Sequence, residues 1–196
     1  VPITPGRINM YVCGITVYDE CHIGHARSAI VFDIIRRYLR YRGFEVKFVK
    51  NITDIDDKII DKARQLNKIS SNKMPLKERC QWVVNKFLKY YYEDTENLGV
   101  EKPDIEPKAT EHILDMIESL IKRGYAYETD GNVYFSVSEF KAYGKLSNQN
   151  IEHMLSGVRV DIEKDKKDRL DFALWKATKE DEPYWESPWG KGRPGW

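Results

Sequence analysis

A chain of 196 residues, 41% hydrophobic and 32% charged, is long enough to bury a core in one or two domains. Its 32 lysines and arginines nearly balance 31 aspartates and glutamates, so a formal net charge of +1 provides no global basic field for gathering nucleic acid. No apolar run approaches the roughly 20 residues that cross a bilayer, no apolar leader is visible, and three irregularly spaced cysteines make no disulfide framework, all of which points to a reducing, cytoplasmic setting.

Arg7 to Cys13, with Ile8, Met10, Tyr11 and Val12, reads as a short buried strand. Gly14 stops it and is expected to let backbone come close to a ligand. Tyr18, Asp19 and the tetrad His22-Ile23-Gly24-His25 follow, and a helix opens at once over 24–43. Its apolar rows are Ile30, Ile34, Tyr38 and Val31, Ile35, Leu39. Arg36, Arg37 and Arg40 fall on the other side, and with Arg42 they are expected to make a solvated face rather than contact RNA phosphates. Gly43 suits the position just past the helix end. Phe44 to Val49 alternates as a second strand, with Phe44, Val46 and Phe48 on one side. Strand, helix and strand make a βαβ unit with parallel strands. Ligands of such units sit at the carboxyl ends of the strands, so Cys13–Gly14 and Asn51–Thr53 should share one mouth.

Thr53 reads as the N-cap of a helix over Asp54 to Gln65, with Asp56 and Asp57 in its first turn. A loop over 67–75 leads to a long helix, Leu76 to Leu98, ended by Gly99. Its Tyr90-Tyr91-Tyr92 run is expected to pack rather than stack on bases. Lys102 to Pro107 looks like a hinge. A helix over Thr110 to Arg123, closed by Gly124, precedes a hairpin of 125–129 and 132–136 around Asp130-Gly131. Residues 137–170 are polar and loop-like, Phe172 to Trp175 is a short apolar strand, and the Pro-, Gly- and Trp-rich stretch from Pro183 carries no strand signal. The division expected is 1–104 as the first half of a nucleotide-binding domain, 105–190 as an insertion, and 191–196 as the start of the second half.

The chemistry concentrates at the first helix. Two histidines around Gly24, directly after a strand and at a helix N-terminus, make an anion site. The helix dipole, free backbone amides and imidazole donors would all favour phosphate, and the absent side chain of Gly24 would let an adenine or ribose lie on the backbone. Cys13 on spacing alone reads as a small hydrophobe more readily than as a metal ligand. Cys21 and Cys80 read as packing residues, and His112 and His153 as surface groups.

The tetrad, the run Met-Tyr-Val-Cys-Gly-Ile-Thr-Val-Tyr-Asp at 10–19, Asn-Ile-Thr-Asp-Ile-Asp-Asp-Lys-Ile at 51–59 and Gly-Arg-Pro-Gly-Trp at 192–196 together resemble the cysteinyl-tRNA synthetases, a branch of the class I aminoacyl-tRNA synthetases. The resemblance implies an α/β fold: a Rossmann-like class I catalytic domain, parallel sheet with flanking helices, with an inserted α+β connective-peptide lobe. It implies activation of cysteine by ATP and Mg²⁺ to cysteinyl-adenylate and transfer to tRNA(Cys), by a monomer without membrane attachment. By the same resemblance His22, Gly24 and His25 bind ATP, with His22 and His25 catalytic. Cys13, Gly14, Thr53 and Trp196 line the amino-acid pocket. Cys13 is one of four zinc ligands on a metal that takes the substrate thiolate, a chemistry that separates cysteine from serine better than size does. The other three ligands, the lysine-rich ATP loop and the anticodon domain have no counterpart in these 196 residues. The polypeptide therefore reads as a fragment expected to hold no stoichiometric zinc and to form no adenylate. The alternatives are a cysteine–amino-sugar ligase of mycothiol synthesis, a His-x-Gly-His nucleotidyltransferase, and a nucleotide-binding module without catalysis.

Overall fold

β1 (Arg7–Val12) and β2 (Glu45–Lys50) pair in parallel from Arg7↔Glu45 to Val12↔Lys50 in a computed structural model that describes residues 2–67, 74–149, 165–180 and 182–195. α1 (Ile23–Tyr41) connects them, so the βαβ unit read from the sequence is present. Gly43, at φ 87°, ends the connection in the left-handed region, as its position past the helix suggested. The chain divides into two compact units, Val1–Glu111 and His112–Trp196.

In the first unit Val46 and Phe48 of β2 point inward as the alternation required, and Lys50 joins them on the same face. β1 is not the buried strand expected of it. Only Val12 is buried, and Tyr11 is exposed, because β2 is the one strand paired with β1 among the described residues. α1 is also turned from its expected orientation. Val31, Ile34, Ile35 and Tyr38 are exposed, Ile30 and Leu39 are half-buried, and the buried positions are Ala29, Asp33 and Arg36. The polar side turns inward because it finds exact partners there. Arg36, 3% exposed, donates to Asp104 Oδ1 and to the Lys102 carbonyl, each at 2.6 Å, and its guanidinium lies 5.4 Å from the Phe48 ring centroid. Asp33 Oδ1 accepts from the Glu101 amide at 3.1 Å.

The segment read as a hinge is tied to β2 along its length. Lys50 N donates to Ile105 O at 3.1 Å and Ile52 N to Pro107 O at 2.9 Å, and Val49↔Ile105 and Ile52↔Lys108 form parallel bridges. α2 (Asp57–Asn67) begins later than expected, and Thr53 is not its cap. Asp56 fills that role, its Oδ1 accepting from Lys58 N at 2.9 Å. Ile59, Ile60 and Ala63 of α2 pack with Val83, Val84 and Phe87 of α3 (Leu76–Asn97), all buried. Tyr91 and Tyr92 pack as expected, and Cys80 is core, its thiol pushed up to about 11 by burial.

α4 (Ala109–Lys122) leads into the second unit. There β3 (Ala126–Thr129) and β4 (Asn132–Phe135) form the expected hairpin, with Asp130 at φ 50° and Gly131 at φ 77° supplying the turn that matches strand twist. β5 (Phe172–Ala177) adds antiparallel to β4, and β6 (Gly192–Pro194) adds antiparallel to β5. β6 had no strand signal because Gly and Pro are poor strand formers. It forms because glycine is the residue that fits: a Cβ on Gly192 would lie 2.3 Å from Trp175 Nε1. Ile117, Ala126, Val133 and Trp175 make the core of this unit. Among the described residues no helix is long and apolar enough to cross a membrane. His153 and Trp196 lie outside the described residues.

Candidate active site at the carboxyl ends of the parallel strands

Beyond Val12 and Lys50 the two strand ends stay side by side, shifted by one residue from the β1–β2 register. Thr53 N donates to Ile15 O at 3.1 Å, Val17 N donates to Thr53 O at 3.4 Å, and Thr16 and Thr53 form a parallel bridge. This ladder carries Cys13, Gly14 and Thr53 to one place, as expected from a βαβ crossover. Cys13 is exposed; Thr53 is 6% exposed. Gly14 N donates to Asn51 Oδ1 at 2.8 Å. The reason for glycine at 14 differs from the expected one. A Cβ there would sit 1.4 Å from the Asn51 carbonyl oxygen, so it is the chain's own backbone, rather than a ligand, that occupies the space.

The tetrad is built on a reciprocal cap. His22 is the N-cap of α1, its Nδ1 accepting from Gly24 N at 3.1 Å, and His25 Nδ1 accepts from His22 N at 3.3 Å. The rings stack with centroids 3.9 Å apart at 25°. An Nδ1 that accepts an amide proton carries none itself, so both imidazoles in this arrangement are neutral, with their proton on Nε2. Burial, His22 and Lys50 together hold His25 below the ordinary imidazole range. Two expectations change here. The amides of Gly24, His25 and Ala26 are already bonded to His22, so the helix start offers the ring Nε2–H groups rather than those amides. The space over Gly24 holds the His22 ring, whose Cε1 would lie 2.8 Å from an added Cβ.

Around this mouth sit groups that the sequence did not single out. Lys50 is buried; its Nζ donates to Tyr91 Oη at 2.6 Å, and burial lowers its pKa against the opposing pull of Glu106. Tyr92 Oη donates to Glu106 Oε2 at 3.0 Å, and burial raises the Glu106 carboxyl. Lys62 Nζ donates to Asp19 Oδ2 at 3.1 Å and pulls the Asp19 carboxyl down. Asn51 is placed at this mouth by the strand order and by the 51–59 motif, but the sequence assigns its side chain no role of its own. Cys21 is half-buried with its thiol raised by burial, and His112 is exposed. Among the described residues no three His, Cys, Asp or Glu side chains gather to hold a metal, so Cys13 stands as a single thiol.

The family described as tRNA synthetases class I (C) catalytic domain matches residues 1–196. A cysteine–tRNA ligase of Thermodesulfovibrio yellowstonii is 55% identical over all of this chain, and one of Aquifex aeolicus is 51% identical. The chain spans 39% and 38% of the lengths of these curated relatives. An arginyl-tRNA synthetase structure from Thermus thermophilus aligns with a TM-score of 0.50 at 15% identity, over 89% of this chain and 33% of that one, a likeness of fold.

Proposed function

Because the chain belongs to the class I (C) tRNA synthetase catalytic-domain family, we propose that it supplies the ATP and amino-acid mouth of a cysteine–tRNA ligase. The observation that carries this reading is the neutral, stacked His22–His25 pair at the start of α1, set beside the strand ends that bear Cys13, Gly14 and Thr53. In the reaction proposed, a cysteine carboxylate oxygen attacks the α-phosphorus of ATP, and the bond to pyrophosphate breaks. Negative charge shifts onto the α-phosphoryl oxygens and the leaving pyrophosphate. Two Nε2–H donors on a rigid cap suit that charge and need no proton transfer. Mg²⁺ arriving on the ATP phosphates would neutralise leaving-group charge.

Cys13, Gly14, Thr53 and Trp196 are proposed for the amino acid, and His22, Gly24 and His25 for ATP. The described residues gather no set of three such ligands, so they do not by themselves fit a zinc site, and no step here runs through zinc. tRNA(Cys) is the proposed acceptor. Arg36, Arg37 and Arg40 are paired with Asp33, Glu101 and Asp104, which argues for RNA contacts elsewhere. Residues 105–190 are proposed as the inserted lobe, supported by a core of Ile117, Ala126, Val133 and Trp175. A monomeric, cytoplasmic enzyme is the proposed setting, in keeping with three unpaired cysteines. The test is ATP–pyrophosphate exchange by the full-length protein: stimulation by cysteine and not by serine is expected, and exchange indifferent to cysteine would overturn the assignment.

A further inference from the structure

Asn51 closes β2 and is 8% exposed. Its side chain joins three groups. Oδ1 accepts from Gly14 N at 2.8 Å and from Tyr11 Oη at 2.9 Å, and Nδ2 donates to Thr53 Oγ1 at 3.3 Å. The Gly14 amide is only a donor, so it decides which end of the Asn51 amide faces β1 and leaves Nδ2 to face Thr53. Thr53 Oγ1 is thereby made the acceptor inside this network, and its one proton is directed away from Asn51. Among the described residues that proton meets no acceptor. The backbone bonds of Thr53 to Ile15 and Val17 fix its main chain beside Ile15–Val17. A buried hydroxyl with a fixed polarity and an unclaimed proton is a donor waiting for an acceptor atom, and a bound amino acid brings one in its carboxylate.

We propose that Asn51 is a positioning residue of the amino-acid site. It sets the Thr53 hydroxyl as a donor toward the substrate and, through Gly14, holds the Cys13–Gly14 turn against β2. The inference rests on the assignment of this mouth to cysteine. A joint that merely tied strand ends together would weaken binding of every ligand alike when cut. A positioning role is selective and runs through Thr53.

Asn51→Asp separates the two. The new carboxylate has the same shape and keeps both acceptor contacts of Oδ1. Its second oxygen faces Thr53 as an acceptor, so the Thr53 hydroxyl turns inward to donate to it. In cysteine-dependent ATP–pyrophosphate exchange by the full-length protein, Asn51→Asp is expected to raise the KM for cysteine about tenfold. The KM for ATP should stay within about twofold. Combined with Thr53→Val, the double variant should match Thr53→Val alone, because Asn51 acts through that hydroxyl. An unchanged cysteine KM in Asn51→Asp, equal losses for both substrates, or additive losses in the double variant would overturn the positioning role while leaving the ligase assignment intact. A wild-type protein without cysteine-dependent exchange would overturn both. If Asn51→Asp does not fold, Asn51→Ala carries the same two-substrate comparison, with equal losses for cysteine and ATP again the overturning result.

Discussion

At the scale of single residues, the histidine pair carries two consequences. Because burial, His22 and Lys50 hold His25 below the ordinary value of 6.5, the folded chain takes up this proton less readily than the unfolded chain does. The stabilisation from the reciprocal cap is therefore complete above pH 6.5 and is lost as pH falls through the lower folded value. The His25 ring resonances should titrate with a midpoint below 6.5, accompanied by a lower protection factor for the His22 amide on the acid side; a midpoint at or above 6.5 would mean that burial, His22 and Lys50 do not act on the ring as described. The second consequence is kinetic. His25→Ala should lower the rate of adenylate formation by about 100- to 1000-fold with little change in the KM for ATP, since its donor meets charge that develops during attack. Unchanged turnover with a raised ATP KM would make His25 a binding group alone. Gly14 is a matter of space: Gly14→Ala drives a Cβ into the Asn51 carbonyl, backbone against backbone, and neither side has a rotamer to yield. Loss of soluble protein or a sharp fall in melting temperature is expected.

At the scale of elements, α1 shows what periodicity can and cannot determine. The sequence marks its start at the tetrad and its end before Gly43, and both are present, but most of the apolar rows it marks are exposed. It does not say which side meets β2. That choice rests on partners more than 60 residues away, the Lys102 carbonyl and Asp104, which no local pattern contains. The same non-local pairing explains the other misreadings. Lys102–Pro107 has a hinge's composition, yet its backbone groups pair with β2. Thr53 has a cap's chemistry, yet its backbone belongs to a ladder with Ile15 and Val17, so Asp56 takes the cap. The mouth was legible because strand–helix–strand order fixes it topologically; the Asn51 joint was not, because it depends on side-chain geometry. A magnitude follows from the Arg36 pairing. Arg36→Ala removes a buried guanidinium from Asp104, whose side chain is partly exposed and so partly rehydrates. A loss of about 2–3 kcal/mol is expected by urea denaturation. Arg7→Ala, which breaks the exposed pair with Glu45, should stay within about 0.5 kcal/mol and serves as the control.

At the scale of the whole molecule, each of the two units closes its own core. Val83, Val84, Phe87, Ile59 and Ile60 are buried within the first, and Ile117, Val133 and Trp175 within the second. The chain also carries natural probes of each. Trp82 is the one tryptophan of the first unit, against Trp175, Trp185, Trp189 and Trp196 in the second, while His22 and His25 belong to the first. Val133 is fully buried at the centre of the second core, and its ladder partner across β5 is Trp175. Val133→Ala removes two methyl groups from that core and leaves a void that its neighbours fill only partly, a cost of about 2 kcal/mol. If the units are separate cooperative bodies, that cost stays in one of them. The tryptophan fluorescence transition should then move to lower denaturant, while the folded-state ring signals of His22 and His25 disappear at their wild-type midpoint. A parallel shift of both would show that the cores unfold as one body, and the stability of the candidate mouth would then depend on the second unit's core as well as the first's.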